Sequence, residues 1–186
     1  MKRAFPFRPL AEASTQYHLG TGLHTLGLLD WILKQTGRAD IYVSTFSTSD
    51  AFLSGFLRLR HRNMVSKATL VADLKAARKT VQLYRLMQGC FDHVFLAQNH
   101  SKIVLVRNIN YCVAVISSQN QTYGDRAECT MITTDEEAYV QLMDGLRDIV
   151  DKSIELNGLF TRLADRDRAL CARDDDTIDD LCPHGY

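Results

Sequence analysis

The chain has 186 residues, of which 46% are hydrophobic and 24% are charged, and its 22 basic residues balance its 22 acidic residues. These values are typical of one globular domain, and no apolar run approaches the ~20 residues that a membrane-spanning helix needs. The first residues lack the apolar core of a signal peptide, and the five cysteines lack metal-ligand spacing. We therefore expect a cytoplasmic protein with reduced thiols and without a structural zinc site.

The zero net charge conceals a separation of charge along the chain. Residues 52–107 contain ten Lys or Arg and two Asp, whereas residues 125–186 contain seven Lys or Arg and sixteen Asp or Glu. A neutral isoelectric point therefore does not exclude a polyanionic partner for the basic part of the chain.

Hydrophobic periodicity predicts helices and strands that alternate along the chain. A helix is predicted from about residue 21 to Gly37, and a strand rich in β-branched and aromatic residues follows at 40–46. Further strands are predicted at 67–74, 93–97, 101–107, 111–117 and 128–133. Further helices are predicted from Asp50 through Leu59, over 76–88 with Gly89 as the C-terminal stop, and from Asp135 through Ile154. Cys112 and Cys129 fall in apolar strands, so we expect them to be small core residues.

The order of these elements predicts an α/β fold, a mixed β-sheet flanked by helices on both faces. We divide the chain into an N-terminal arm at 1–20, one domain at 21–160 and an acidic C-terminal tail at 161–186. The tail is poor in apolar residues and contains Asp174-Asp175-Asp176, so we expect it to be a solvated or disordered extension.

A histidine and a lysine two residues apart, His100 and Lys102, lead into the apolar strand at 101–107. A cationic lysine is costly to bury without a partner, and a lysine beside an imidazole favours the neutral, nucleophilic form of the ring. Because side chains alternate along a strand, these two residues are expected on one face.

The following strand ends in small hydroxyl and amide side chains. A three-residue turn at 108–110 would place His100 opposite Ser118, with Asn120 just beyond, whereas a two-residue turn would shift the register by one and place Gln119 opposite His100. Taken singly, Ser118 and Asn120 are also common turn residues. Together with the histidine and the lysine, they indicate a site that handles phosphate.

Three short segments, HSK at 100–102, SSQN at 117–120 and Glu128, resemble the HxK…GSxN…E signature of the phospholipase D superfamily. The order of elements over about 38–156 is also similar to that of the superfamily. Two positions depart from the signature, since Arg107 stands where many members have Asp and Ser117 stands where members have Gly. The single copy of the motif is similar to the small bacterial nucleases of the superfamily.

This resemblance implies a homodimer in which two copies of the motif form one active site. One His100 would attack phosphorus to give a phosphohistidine, and the other would protonate the leaving oxygen and then activate water. Lys102, Ser118 and Asn120 would bind the non-bridging oxygens, and Glu128 would hold a His100 ring in its tautomer. No metal or other cofactor is implied.

We therefore predict a metal-independent phosphodiesterase, first of all a nuclease acting on DNA or RNA. Candidate contacts to the phosphate backbone come from the basic part of the chain. They are Arg58, Arg60, Arg62 and Arg107. Two alternatives stay open: a catalytically inactive module that binds nucleic acid or protein, which the two departures from the signature favour, and a phospholipid phosphodiesterase.

Overall fold

The structure, a computed structural model, describes residues 5–121 and 126–158, and within these ranges eight strands form one sheet. The strands are β1 (Thr15–Gly20), β2 (Ala39–Thr45), β3 (Val65–Asp73), β4 (His93–Ala97), β5 (Ile103–Arg107), β6 (Cys112–Ser117), β7 (Glu128–Thr133) and β8 (Ile154–Glu155). The helices are α1 (Thr25–Thr36), α2 (Asp50–His61), α3 (Ala77–Cys90) and α4 (Glu136–Val150), with a short 3-10 helix at Leu74–Ala76 before α3. The predicted tail at 161–186 lies outside the described residues.

The sheet is mixed, with the strand order β1-β7-β6-β5-β2-β3-β4-β8, which confirms the predicted sheet type. The strands β2, β3 and β4 run parallel, and all other neighbouring strands are antiparallel. The two edge strands lack a clear sequence pattern, since β8 has two residues and the one fully buried side chain of β1 is the polar Gln16. Residues 15–20 of the predicted arm therefore form the edge strand beside β7.

Helices cover both faces of the sheet, as predicted. On one face, α1, α2 and α3 bury Ile32, Phe56 and Met87, and on the other face α4 buries Tyr139 beside Leu105. Each side chain of this size stabilises the fold by roughly 1.5–3 kcal/mol when it is removed from water. Burial from both faces also explains why the middle of β5 is apolar at successive positions rather than alternating.

Two helix ends follow from local capping residues, and one helix end differs from the prediction. Ser49 caps α2, because its Oγ accepts a hydrogen bond from the Phe52 amide at 3.3 Å, and Gly37 ends α1 with a φ of 78°. The prediction that Gly89 stops α3 is wrong. The helix continues through Gly89 to Cys90 and ends at Phe91, which is extended and donates its amide to Met87 O at 2.8 Å.

The β5–β6 hairpin differs by one residue from the predicted register. Four residues rather than three form its turn, with the Asn108 amide donating to Tyr111 O at 3.0 Å. The Asn108 side chain also accepts from the Asn110 and Tyr111 amides, both at 2.9 Å. Arg107 therefore pairs with Cys112, and Ile103 pairs with Ile116. This register does not place Ser118 opposite His100, as the three-residue turn would have done.

Several chain segments meet at one edge of the sheet, which we call the carboxyl edge because β2, β3 and β4 end there. The strands β5 and β7, which are antiparallel to their neighbours, begin at this edge, and β1 and β6 end at it. The helices α1 and α2 and the short helix before α3 also begin here. The topology thus gathers 98–102, 117–121 and Glu128 at one side of the molecule.

Candidate active site

His100 and Lys102 lie together at the carboxyl edge, in the loop that joins β4 to β5. The Lys102 ammonium lies 2.9 Å from His100 Nδ1 and donates to the His100 carbonyl oxygen at 2.6 Å. A charged ammonium can only donate, so this contact requires an unprotonated Nδ1. The imidazole is exposed and packs against Phe46, with ring centroids 5.2 Å apart. The histidine is therefore accessible, and its Nδ1 faces the lysine ammonium.

Lys102 is partly buried, and its surroundings explain how it is tolerated. Burial lowers the pKa of Lys102 below its usual range, and the negative charges of Asp73 and Glu128 oppose that lowering. Two carboxylates at the same edge therefore offset part of the cost of burying this lysine. A lysine held in this way can present a positive charge to a bound phosphate.

Ser118 and Glu128 contact each other directly. The Ser118 hydroxyl donates to Glu128 Oε2 and accepts the Cys129 amide at 3.1 Å, and the Ser118 amide donates to Cys129 O at 3.0 Å. In the part of the chain that the structure describes, Glu128 makes no hydrogen bond to His100. Within one chain Glu128 therefore holds Ser118, and its contact with a His100 ring stays a prediction.

Gln119 and Asn120 face the helix side of the carboxyl edge. Gln119 is buried, and its Oε1 accepts the amide of Thr25 at 3.2 Å at the start of α1. Asn120 lines a cavity of about 280 Å³ between the first turns of α1 and α2, and its buried Oδ1 has no hydrogen-bond partner among the described residues. Asn120 thus lies at the predicted edge, but no described hydrogen bond links it to His100 or Lys102.

A buried polar network that the sequence did not reveal supports the His100 loop. Its centre is Asn99, which is 4% exposed. The Asn99 amide donates to Asp73 Oδ2 at 2.8 Å, and its side-chain nitrogen donates to Ser44 Oγ at 2.9 Å and Val71 O at 3.2 Å. Asn99 Oδ1 accepts from the amide and hydroxyl of Ser101 at 3.0 and 2.7 Å. The loop is therefore anchored immediately before and after His100.

The position of Asn99 next to His100 was the available signal for this network. Amide side chains are favoured in turns. Asn99, which lies between β4 and His100, was therefore a candidate for hydrogen bonds to the backbone of the β4–β5 loop. The role of Asn99 depends on its burial, however, and the sequence of 98–102 contains no apolar pattern that would predict this burial.

The four arginines predicted to bind substrate lie away from His100. The helix α2 runs back from the carboxyl edge, so its last turn lies where β3 begins, at the opposite edge. There Arg60 makes a two-pronged contact with Asp92 at 2.8 and 2.9 Å, and Arg62 pairs with Asp30 at 2.8 Å. These two contacts are internal ion pairs of the fold.

Arg58 and Arg107 complete that predicted set, and neither is brought to His100. Arg58 belongs to the same last turn of α2 as Arg60 and Arg62. Arg107 ends β5 opposite Asp40, and its guanidinium lies 5.7 Å from the centre of the Tyr139 ring. The structure therefore does not assemble the four arginines with the His100–Lys102 pair, and their contact with substrate stays a prediction.

Residues 5–121 and 126–158 contain neither a cluster of metal ligands nor a membrane-spanning helix. No group of three or more His, Cys, Asp or Glu side chains there is arranged to hold a metal ion. No helix in those ranges combines the length and hydrophobicity needed to cross a membrane. Cys129, expected in the core, is exposed at the start of β7.

Solved structures of low sequence identity share this architecture. Nuc from Salmonella typhimurium, a phospholipase D family member, matches with a TM-score of 0.59 and 12% identity over 76% of this chain and 97% of Nuc. NucT from Helicobacter pylori matches with a TM-score of 0.57 and 11% identity over 75% of this chain and 98% of NucT. Phosphatidylserine synthase from Haemophilus influenzae matches with a TM-score of 0.51 and 12% identity over 76% of this chain and 39% of the synthase.

The chain has the fold of a phospholipase D family member. No protein-family model and no curated protein sequence matches it. Within this fold, the HSK segment lies at the carboxyl edge together with the Ser118–Glu128 pair. The candidate site is therefore defined by four side chains, those of His100, Lys102, Ser118 and Glu128.

Proposed function

We propose that the protein is a metal-independent phosphodiesterase that cleaves nucleic acid through a phosphohistidine, at an active site shared by two subunits of a homodimer. The observation that carries this proposal is the His100–Lys102 pair, an exposed imidazole in contact with a lysine ammonium at the carboxyl edge of a phospholipase D fold. An imidazole nitrogen is a competent nucleophile towards phosphorus, and the adjacent cation binds the oxygens that surround it.

In the first step, a ring nitrogen of one His100 attacks phosphorus. A P–N bond forms, the P–O bond to the leaving group breaks, and the His100 of the second subunit gives its proton to the leaving oxygen. Lys102 of both subunits binds the non-bridging oxygens on which negative charge develops, with Ser118 and Asn120 as further donors.

In the second step, water replaces the histidine. The second subunit's His100, now neutral, takes a proton from water while the oxygen attacks phosphorus and the P–N bond breaks. The phosphomonoester leaves, and both imidazoles return to their starting protonation states. The protein itself supplies the acid, the base and the positive charge in both steps.

The nucleic-acid substrate is supported by basic side chains at the carboxyl edge. Lys75, Arg78 and Lys79 follow directly after β3 and are exposed, and none of them forms an ion pair within the described ranges. The Lys75 amide donates to Asp73 Oδ1 at 2.7 Å, and Asp73 is one of the two carboxylates whose charge acts on Lys102. Exposed cations along such an edge bind successive phosphates of a polyanion.

The test uses purified full-length protein with labelled DNA and RNA oligonucleotides in the presence of EDTA. We expect cleavage that persists in EDTA and that falls by about 10²–10⁴-fold in His100→Ala. His93→Ala is the matched control, because His93 is exposed at the opposite edge, where its Nδ1 lies 2.9 Å from Glu155 Oε1. The control should cleave as fast as the wild type.

Three outcomes would contradict the proposal: cleavage that survives His100→Ala, cleavage that needs a divalent ion, or no cleavage of any oligonucleotide across the pH range. Binding of oligonucleotides without turnover, unchanged by His100→Ala, would instead support the inactive binding module. Release of headgroup from phospholipid vesicles without nuclease activity would support the lipid phosphodiesterase.

A further inference from the structure

The cavity between the first turns of α1 and α2 has the dimensions of a small binding site. Its volume is about 280 Å³, and residues 119–121, which follow β6, form one of its walls. Leu26, Ala51 and the buried ring of Phe52 make much of the remaining wall apolar. Sites for small molecules begin at roughly 300 Å³ and are lined mainly by apolar groups with a few polar ones. The cavity therefore suits one small ring system.

Two amide side chains in this wall are not used by the fold. Asn120 Oδ1 and Gln121 Oε1 are buried, and neither accepts a hydrogen bond from residues 5–121 or 126–158. Gln121 is 3% exposed, and its backbone is held by Ser47 O, which accepts its amide at 3.1 Å, and by the Ser49 hydroxyl, which donates to its carbonyl oxygen at 3.1 Å. A buried acceptor without a donor weakens the folded state. The place of both amides in a cavity wall points to a ligand that carries N–H donors.

Gly27 keeps the cavity open at the start of α1. It lines the cavity, and a Cβ atom added to it would meet no other atom within 4 Å. Glycine is unfavourable inside a helix, and no close contact requires it at this position. At Gly55 of α2, in contrast, an added Cβ would collide with Leu26, so packing explains that glycine. The missing side chain of Gly27 therefore leaves space that a larger residue would fill.

Two short chain segments connect the cavity with the candidate active site. Asn120 lies two residues after Ser118, and two residues span about 7 Å at most. Ser49, which also lines the cavity, lies three residues after Phe46. The Phe46 ring is 5.2 Å from the His100 ring, measured between centroids. A ligand whose phosphate contacts His100 therefore has the cavity on the order of one nucleotide away.

We propose that this cavity binds a nucleobase of the substrate, next to the phosphate that His100 attacks. A base has two faces that pack on aromatic and aliphatic side chains, and its edge carries the donors and acceptors that amide side chains bind. An acyl chain also fits an apolar wall, but it would leave the two amide oxygens without donors. The position of the phosphate rests on the proposed function, whereas the cavity and its unused amides do not.

The test compares ligands with and without a base by isothermal titration calorimetry on the full chain. The ligands are the 5′- and 3′-deoxymononucleotides of the four bases and deoxyribose 5-phosphate, which lacks a base. We expect at least one mononucleotide to bind about tenfold or more tightly than deoxyribose 5-phosphate. Gly27→Leu should remove this preference, because the new side chain occupies the cavity, and should leave the Kd of deoxyribose 5-phosphate unchanged.

Gly145→Leu is the matched control for this substitution. Gly145 is a glycine of α4, on the opposite face of the sheet, and a Cβ atom added to it would also meet no atom within 4 Å. Leucine is a better helix former than glycine, so both variants should melt at or above the wild-type temperature. Gly145→Leu should keep the wild-type preference for a base.

Gln121→Leu separates a binding role of the amide from a structural one. The substitution keeps an apolar wall of similar size and removes a buried acceptor that has no donor. The melting temperature should therefore stay or rise, while the tightest mononucleotide binds about three- to tenfold more weakly. A lower melting temperature with an unchanged base preference would contradict the role of Gln121.

The remaining outcomes distinguish the cavity from the proposed function. A wild type without a base preference, or a preference that survives Gly27→Leu, would overturn the nucleobase site whether or not the protein cleaves oligonucleotides. Base binding that depends on Gly27, in a protein that cleaves no phosphodiester, would support the site and remove the proposed function. Binding of dihexanoylphosphatidylcholine that depends on Gly27, without binding of any mononucleotide, would overturn the nucleobase in favour of a lipid.

Discussion

The amide side chain of Asn99 holds the loop that contains His100, the proposed nucleophile, which is itself exposed. It binds Ser44 and Val71 on neighbouring strands and Ser101 within the loop, and its backbone amide binds Asp73. An exposed imidazole has few packing contacts of its own to hold it, so its position depends on its two chain neighbours. Asn99 is therefore a positioning residue for His100.

We expect Asn99→Ala to destabilise the fold by about 2–3 kcal/mol, because several buried polar groups lose their partner. It should also lower kcat for oligonucleotide cleavage by about tenfold or more with a smaller change in KM, since a misplaced nucleophile slows chemistry more than binding. Denaturant unfolding and steady-state kinetics measure the two effects.

Asn108→Ala is the matched control for this substitution. Asn108 also uses its side chain to hold a turn, donating to Thr36 O at 2.7 Å and accepting from the Asn110 and Tyr111 amides, but it lies at the opposite edge of the sheet. It should lose stability while kcat stays near that of the wild type. Equal losses of kcat in both variants would contradict a positioning role for Asn99.

Lys102 gives the site a predictable response to alkaline pH. Burial lowers its pKa in the folded protein, so its charge is lost at a lower pH than that of an ordinary lysine. Activity that needs this charge should therefore fall on the alkaline side of the profile, below the usual lysine range. Lys102→Arg should move that limb to higher pH at a reduced kcat, because a guanidinium stays charged. Lys67→Arg, at an exposed position, should leave the limb unchanged.

The same shift has a consequence for stability. Because the folded pKa of Lys102 lies below the unfolded pKa, the unfolded chain binds more protons between the two values, and stability rises with pH through that window. Lys102→Met removes this rise, which thermal unfolding at several pH values would detect. A stability that rises equally in both proteins would show that Lys102 is not its source.

At the scale of elements, the segment from the short 3-10 helix into α3 has an unusual charge distribution. Its first turns contain Lys75, Arg78 and Lys79 and no acid, although the start of a helix favours negative charge. The start of α4, in contrast, contains Glu136 and Glu137. Three cations at the start of a helix are mildly unfavourable for the helix itself. Their presence there is consistent with a surface that binds phosphates.

Replacing Lys75, Arg78 and Lys79 together with Gln should weaken oligonucleotide binding in His100→Ala protein. The slope of log Kd against log salt should fall by about one for each cation that contacts a phosphate, or about three in total. Fluorescence anisotropy at several salt concentrations measures it. The matched control replaces three exposed cations away from the carboxyl edge, Arg38, Lys67 and Arg85, with Gln. An equal loss of slope in the control would mean that binding follows net charge alone.

The sequence predicted the long elements well because their patterns are local. The strands β4 and β7 begin and end where predicted, and the mixed sheet with helices on both faces follows from the order of elements. The three-residue turn was wrong because the Asn108 side chain holds a four-residue turn, which gives the register shifted by one that the sequence had left open as an alternative. The α3 boundary was missed because tertiary packing keeps Gly89 helical, as it does when a buried face outweighs local propensity.

The residues of the candidate site that belong to a sequence motif were predictable. The buried residue that supports them, Asn99, was not, because its role depends on burial. His100, Lys102, Ser118 and Glu128 do meet at one edge, as two contacting pairs. The basic residues were chosen by charge density alone. In a strand-helix-strand unit the end of a helix returns to the opposite edge, so the cations that follow β3 directly, such as Lys75, are nearer to the site than Arg60.

At the scale of the molecule, the chain contains one HSK segment, and helices cover the two faces of its sheet to different extents. Three helices cover one face, and α4 covers part of the other. The proposed two-fold dimer explains how a chain with a single His100 could supply two histidines to one site. Each subunit then contributes half of the catalytic groups and half of the buried interface.

A heterodimer with one wild-type subunit and one His100→Ala subunit tests this sharing. If one histidine attacks and the other protonates the leaving oxygen, the heterodimer lacks one of the two and should lose about as much activity as the His100→Ala homodimer, roughly 10²-fold or more. Subunits with two different affinity tags, co-expressed and purified over both tags, provide the heterodimer for cleavage assays. A wild-type/His93→Ala heterodimer, prepared in the same way, should keep full activity.

The size of the loss distinguishes the two possible architectures. If each subunit had a complete site of its own, the heterodimer would retain about half of the wild-type rate, because one of two independent sites would still work. With a shared site the heterodimer should not retain this half of the activity, because its one intact His100 has no second imidazole to complete either proton transfer. Half activity would therefore contradict the shared site even if the dimer itself formed.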